Sequence, residues 1–345
     1  MNGRVARVRE LVAEPLLVTN LVNVRWLTGF QSSNAAALVE PDRVRVFADF
    51  RYAEQGRRLV GAEFVQTARN LIGSLREHLP PRIAFEADHL TYDAYETLAG
   101  AGLELVPTKR LVVGLRATKT PEELAAIRAV AAITDRMFAR LAEEPFVGRT
   151  EREVAWRVEE LLHEEGAEGL AFPVIVAAGA NAANPHTTPG DERIERGQLV
   201  IVDAGGTLGG FCSDCTRTFS TGELPERLRD AYETVLRAQL AGVAEVRAGR
   251  AARDVDAVVR ELIDSTGFAG MFGHGLGHGV GLEVHEAPTL RPESEDTLAA
   301  GAVVSVEPGV YLPGEGGVRI EDLVIVTEDG CEILSPFTKE LVEVS

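Results

Sequence analysis

Between residues 15 and 108 short apolar runs, PLLVTN, AAALVE, VRVFADF, EFVQTA, RIAFEAD and LELVPT, alternate with stretches of helical period such as YAEQGRRLV and TYDAYETLAG. Short apolar runs bounded by turn formers predict strands, and their alternation with helices predicts a small α/β domain. VEPDRVRVF adds a hairpin that turns at PDR. The rhythm changes near Lys119. In TKTPEELAAIRAVAAITDRMFARL, Thr120 is an N-cap, Pro121 takes the first helical position and Glu123 closes a capping box. We place a domain boundary there, giving residues 1–117 and 118–345. A second capping box, Thr150 to Glu153, starts EREVAWRVEELLHEEG, which stops at Gly166. Helices are also expected over 225–247 and 251–265, between strand-rich blocks, so the second domain is α+β.

Composition narrows the function classes. The formal charge of −18 argues against a nucleic-acid partner, which needs a basic face against phosphates. No apolar run is long enough to span a membrane, and the N-terminal MNGRVARVRELVAEP lacks an apolar signal core, so a cytoplasmic address is expected. Three cysteines, an odd number, suit a reducing compartment. Cys212 and Cys215 form CSDC, but residues three apart on a strand face opposite ways and no second pair completes a zinc site, so neither a metal nor a redox role is assigned.

The candidate chemistry lies in two strand pairs. LVIVDAGGTLGGFCSDCTRTF reads as strand, glycine-rich turn, strand; a turn at Leu208–Gly209 would set Asp203 directly opposite Asp214. AVVSVEPGVYL and GVRIEDLVIV flank PGEG, and a turn centred on Gly314 brings Glu307 opposite Glu321. Like charges opposed across a ladder are destabilising, so something positive belongs between them. The stretch GHGLGHGVGLEVHE, residues 273–286, sets His274, His278 and His285 among five glycines, which let backbone pass closely around a crowded site. His274 and His278 have helical zinc-pair spacing, but glycine at 275 and 277 speaks against a helix. Four carboxylates and an imidazole suit Mn²⁺ or Co²⁺, with Zn²⁺ and Fe²⁺ as further candidates. Four acids exceed one ion's needs; two ions bridged by carboxylates would use them all and acidify a water between them.

The order Asp203, Asp214, His278, Glu307, Glu321, set in GHGVGLEVHE, VEPGVY and GVRIED, resembles the pita-bread metallopeptidases, in the branch of Xaa-Pro dipeptidase (prolidase) and aminopeptidase P. LLVTNLVNVRWLTGFQSSNAAALV is similar to the opening of that branch's N-terminal domain. The resemblance implies a pita-bread catalytic domain after a smaller creatinase-like α/β domain, holding two divalent ions, Mn²⁺ first among them. It implies Asp203 as terminal ligand of one ion, Asp214 and Glu321 as bridges, and His278 and Glu307 completing the other, with Glu307 also the general base. His186, in NAANPHTTP, and His285 match histidines that touch substrate and stabilise the tetrahedral intermediate. His274, Tyr311 and Arg319 match positions near the site, as substrate contacts or as support. The implied reaction is hydrolysis of the bond preceding proline in a dipeptide or short peptide. The implied assembly is a homodimer in which residues 29–36, GFQSSNAA, a small polar loop, reach the neighbour's cleft. Prolidases of this branch commonly carry a substrate-contacting Arg soon after HE.P; Arg291 is near that place without aligning with it, so the resemblance implies an Xaa-Pro dipeptidase first, with aminopeptidase P on longer peptides as the alternative.

Other classes fit less well. Methionine aminopeptidases share the ligands but not such an N-terminal domain, creatinases share the layout but not the metal set, and a non-catalytic module on this fold would have lost ligands. DAGGTLGG hints at a dinucleotide-binding oxidoreductase, yet a strand rather than a helix follows its glycines.

Overall fold

The computed structural model describes residues 2–345, and the chain separates after Arg116 into two compact units. The first carries strands β1 (Leu16–Val18), β2 (Ala35–Val39), β3 (Val44–Asp49), β4 (Glu63–Thr67), β5 (Arg82–Glu86) and β6 (Glu104–Thr108) in one sheet of order β4-β3-β2-β1-β5-β6. All six apolar runs are strands of it. The β2–β3 hairpin is antiparallel, while β4, β5 and β6 join in parallel, as their helical crossovers require. Its helices are α1 (Asn2–Leu11), α2 (Leu21–Thr28), α3 (Ala53–Gly56), α4 (Leu71–Leu75), α5 (Tyr92–Gly100) and α6 (Leu111–Arg116). Leu17, Leu38 and Phe47 of the sheet pack with Leu71, Leu75 and Leu98 of α4 and α5 to form its core. The stretch 52–60 supplies only the short α3. Residues 29–36 are not a free loop: Phe30 is buried, Ala35 and Ala36 belong to β2, and Ser33 and Asn34 are held by Tyr52 and Asp49.

In the second unit both expected capping boxes form. Thr120 and Glu123 start α7 (Pro121–Leu141), and Thr150 and Glu153 start α8 (Glu151–Glu164). Gly166, at φ 106°, follows the end of α8 in a conformation open chiefly to glycine. Strands β7 (Gly169–Leu170), β8 (Ile175–Ala178), β9 (Leu199–Ala204), β10 (Gly206–Leu208), β11 (Phe211–Cys212) and β12 (Cys215–Ser220) come next, then α9 (Glu226–Glu245) and α10 (Ala252–Asp264). The chain closes with β13 (Gly277–Gly279), β14 (Glu286–Leu290), β15 (Val303–Val306), β16 (Gly309–Leu312), β17 (Gly316–Arg319), β18 (Asp322–Val326) and β19 (Cys331–Ile333). These make sheets of order β12-β9-β8 and β14-β13-β15-β18-β19, with β16–β17 and β11-β10-β7 beside them. One apolar core joins α9 and α10 to β15 and β18; another joins α7 and α8 to β9 and β12.

The two hairpins that carry the acids part company on register. On β15–β18 and β16–β17 it is constant, from Val303↔Ile325 through Val306↔Asp322 to Gly309↔Arg319 and Leu312↔Gly316. Glu307 and Glu321 therefore sit opposite one another in the break between the two ladders, as expected. On the first hairpin the expected register is wrong. Leu208 pairs with Phe211, so the turn is Gly209–Gly210 rather than Leu208–Gly209, and Asp203 faces Thr216. Both glycines have positive φ, 58° and 83°, which a two-residue hairpin turn of this hand demands and which Leu208 would adopt only under strain. Asp214 lies in the two-residue break between β11 and β12.

Candidate active site

The register still gathers the acids. Asp203 is the penultimate residue of β9, the central strand of its sheet, Asp214 projects from the break two residues before Thr216, and Glu321 is one residue before β18. Glu321 N–H donates to the Thr216 carbonyl, stitching the two hairpins together. One carboxylate oxygen from each of Asp203, Asp214 and Glu321 lies within 4.8 Å of the others, and all three residues are buried. His278 extends the group: its Nε2 is 3.1 Å from Glu307 Oε1 and 3.5 Å from Asp214 Oδ2.

Glycine around His278 answers a steric demand. A Cβ on Gly277 would lie 2.1 Å from the Ser305 carbonyl oxygen, and one on Gly279 2.2 Å from that of Ala287, since β13 runs pressed between β14 and β15. The ring is oriented by its other nitrogen. The Gly279 carbonyl oxygen, 3.2 Å from Nδ1, can only accept, so it holds a proton on Nδ1 and turns Nε2 toward the acids. Ser305 Oγ accepts from His278 N–H at 3.0 Å and donates to Glu307 Oε1 at 3.1 Å, fixing the pair against each other.

A directional hydrogen-bond chain leads away from Asp203. Arg319 Nη2 donates to Asp203 Oδ2 at 2.7 Å and Nη1 to Tyr311 Oη at 3.1 Å. Gly275 carbonyl, 2.8 Å from His274 Nδ1, fixes that ring's proton there, so Nε2 accepts from Tyr311 Oη at 2.8 Å. Arg319 Nε also donates to Thr216 Oγ1 at 3.2 Å, which donates in turn to Glu321 Oε2 at 2.9 Å. Burial lowers the His274 ring's proton affinity and raises that of the Tyr311 hydroxyl.

The electrostatics of the cluster call for a cation. Burial pushes the Asp203 carboxyl up in spite of Arg319. Burial, then repulsion from Glu321 and Asp203, holds Asp214 well above the usual carboxylate range. Burial, then Glu307 and Asp203, does the same to Glu321. Burial would also raise Glu307, but the His278 hydrogen bond and charge outweigh it and bring it down to about 2. The same contact raises His278 against the opposing effect of burial. Asp203 Oδ1 and Glu321 Oε1 are buried with no hydrogen-bond partner. Orphaned acceptors in an oxygen-rich pocket with one oriented imidazole are the donor set that divalent ions take up. The residues present fit such ions.

Most of this network was expected by residue: Asp203, Asp214, His274, His278, Glu307, Tyr311, Arg319 and Glu321 are connected by the contacts above. His285 is exposed, but its ring stands edge-on to His278 at 4.3 Å between centroids. Burial and then the His278 charge lower its proton affinity. His186 is exposed on an irregular loop whose Pro185 carbonyl accepts from Arg319 Nη1 at 3.4 Å. Arg291 is exposed just beyond the end of β14. Cys212 and Cys215 are not disulfide-bonded and are buried in separate apolar cores.

Several supporting residues went unread in the sequence. Thr216 and Ser305 are ordinary strand hydroxyls until the sheets assemble. Asp256 and Arg260, one turn apart on α10, clamp the glycine-rich segment: Arg260 donates to the carbonyls of Phe272 and His274, both at 2.8 Å, and Asp256 accepts from Leu276 N–H at 3.0 Å. The buried pair Lys119–Glu286, at 3.5 Å, lies next to His285, and Glu286 also accepts from Glu283 N–H. Only the charge period on α10 was available as a signal, and it reads equally as a solvated helix pair.

The model of metallopeptidase family M24 matches residues 125–328, and that of the creatinase/prolidase N-terminal domain matches residues 4–118. An uncharacterized peptidase of Bacillus subtilis is 36% identical over 340 residues, covering 96% of each chain. The Xaa-Pro dipeptidase of Pyrococcus furiosus is 43% identical over 232 residues, 67% of each chain. The solved structure of the Xaa-Pro dipeptidase from Bacillus anthracis superposes with a TM-score of 0.95 at 37% identity, covering 99% of each chain.

Proposed function

The chain belongs to metallopeptidase family M24, and on that premise we propose that it is an Xaa-Pro dipeptidase that hydrolyses the bond preceding proline with two divalent ions. The observation that carries the reading is the buried cluster itself, in which acids stand together with two orphaned oxygens and an oriented imidazole. Asp203 would serve one ion, His278 and Glu307 the other, and Asp214 and Glu321 both. When bound, the ions supply Lewis acidity toward the scissile carbonyl and make a water acidic enough to attack near neutral pH.

The rest is the work of side chains. Glu307 takes the proton of the attacking water on its carboxylate, and the proton passes to the proline nitrogen as the C–N bond breaks. One water is consumed, leaving a free carboxylate on Xaa and a free imino group on proline. His186 and His285, on exposed loops beside the cluster, donate to the substrate and to the oxygen that gains charge. The chain His274–Tyr311–Arg319 holds Asp203 in one orientation and gives the substrate side a fixed hydroxyl and guanidinium. The oxygen-rich donor set supports Mn²⁺ as the ion. We extend the reading to a homodimer acting in the cytoplasm; among the described residues no helix is long and apolar enough to cross a membrane.

The test uses metal-stripped protein with Ala-Pro and Ala-Pro-Ala, with and without Mn²⁺, reading released amino acids. Manganese-dependent cleavage of Ala-Pro alone is the expected result. Cleavage of the tripeptide as well would move the assignment to aminopeptidase P. Cleavage of neither, with Mn²⁺, Co²⁺, Zn²⁺ or Fe²⁺, would overturn it.

A further inference from the structure

Glu151 is the first residue of α8, is only 2% exposed, and is not among the groups that hold the acid cluster. Its carboxylate accepts four hydrogen bonds. Oε1 takes Ala178 N–H at 2.8 Å and Asn181 Nδ2 at 3.0 Å; Oε2 takes Asn181 Nδ2 at 2.8 Å and Gly190 N–H at 2.9 Å. Ala178 ends β8, and Gly190 lies twelve residues on, so one carboxylate ties together the two ends of the loop that carries His186. The far end is doubly held, because the Gly190 carbonyl accepts from Arg152 N–H at 3.1 Å. Within the loop, Asn181 passes the constraint on: its Oδ1 accepts from Thr187 Oγ1 at 2.9 Å, beside His186. The negative charge is met by these amides and by the positive end of α8.

A loop of this length with one short 3₁₀ turn, Gly179–Ala183, has little of its own to fix an exposed imidazole. We infer that Glu151 is a positioning residue for the hydrolysis: it closes the 178–190 loop and so presents His186 to the substrate. The inference rests on the reading of His186 as a substrate contact. It separates Glu151 from a helix-starting acid, which would need only its charge. Glutamine cannot replace it, because an amide has one acceptor atom, and its NH₂ would face at least one N–H donor at whichever end it turned to. Aspartate keeps the charge at the start of α8 but is one methylene too short to reach both ends.

The experiment compares E151Q, E151D, H186A and the double variant E151Q/H186A as metal-loaded protein, by Ala-Pro kinetics and by amide hydrogen exchange. In both Glu151 variants, exchange at 178–190 is expected to quicken roughly tenfold or more, as loss of a buried hydrogen bond allows, while exchange over α9 and α10 holds. kcat/KM falls by roughly tenfold or more in each, and E151Q costs nothing further in the H186A background. E151D restoring both exchange and kcat/KM would overturn the proposal in favour of a helix-end role, as would E151Q and H186A losses that multiply. If E151Q does not fold, E151D alone decides on the same readouts. H186A with unchanged kinetics would overturn the role of His186 itself, and unchanged loop exchange in the Glu151 variants would overturn the anchoring independently of it.

Discussion

Thr216→Val removes one oxygen from the centre and leaves the shape of the side chain nearly intact. Thr216 Oγ1 donates to Glu321 Oε2 at 2.9 Å and accepts from Arg319 Nε at 3.2 Å, so it joins a proposed bridging ligand to the guanidinium that also holds Asp203. Both partners are buried, and the alternative to this hydroxyl is no partner at all. A hydrogen bond to a charged group contributes about 1.5–3 kcal/mol. Loss of such an outer contact to a ligand typically weakens metal binding about 10–100-fold, or about 1.4–2.7 kcal/mol, which agrees with that figure. The expected result is therefore a 10-fold to 100-fold weaker affinity for divalent ions in Thr216→Val, measured by competition of stripped protein with a chelating indicator. Thr216→Ser, which keeps the hydroxyl and drops the methyl, should bind nearly as the parent does. If valine binds within twofold of the parent, or serine loses as much as valine, the hydroxyl is not what orients Glu321 and the reasoning fails.

Other consequences follow from the same contacts. Asp203, Asp214 and Glu321 have proton affinities raised in the folded state, so they contribute stability that is complete below the ordinary carboxylate range and is lost as pH rises through their elevated values. Metal-free protein should thus lose melting temperature relative to its Asp214→Asn variant as pH rises above the ordinary carboxylate range, and saturating Mn²⁺ should abolish that trend; a flat difference would contradict it. Arg260→Met should cost roughly 1–3 kcal/mol in denaturant unfolding and quicken amide exchange over 272–278, because two carbonyls lose their donor. Unaltered exchange there would remove the clamp from the account. Gly277→Ala should be destabilised by about 3 kcal/mol or more, since its Cβ would meet the Ser305 carbonyl oxygen at 2.1 Å. Gly273→Ala, with nothing within 4 Å of its Cβ, should melt as the parent does.

How much of this was written in the chain depends on the range over which each feature is determined. Both capping boxes are local, and Thr120–Glu123 and Thr150–Glu153 form as read. The second acid pair was legible because Gly314, at φ 79°, centres a turn with equal arms, so counting outward reaches Glu307 and Glu321 together. The first was misread by one residue at the turn, which doubles to two across the ladder. Four glycines in AGGTLGG offered several turns, and only the pairing with β7 and β11 selects one. Asp214 nevertheless arrives at the cluster, because the break after β11 does what the expected register was asked to do. Thr216, Ser305 and Glu151 could not be read at all, and Arg260 only as one half of a helix charge pair. Each acts on a residue that is distant in sequence, or on backbone whose path the sequence pattern does not give.

Arg217 lies on β12, next to Thr216. Its buried guanidinium donates to Asp322 and to the carbonyls of Glu321, Ser335, Phe337 and Thr338, while the Val344 carbonyl accepts from Phe146 N–H and Val344 N–H donates to the Ser220 carbonyl. The strand that bears Thr216 is thus tied to residues made more than a hundred positions later. On the ribosome the first unit, with its sheet complete at Thr108 and Arg116 bonded to Asn23, can fold while the rest is still being translated. The acid cluster draws on later residues: a nascent chain halted before Ser335 carries all four carboxylates and His278, and its Arg217 has Asp322 and the Glu321 carbonyl, but the carbonyls of Ser335, Phe337 and Thr338 that complete the guanidinium's seat behind Glu321 are still to come.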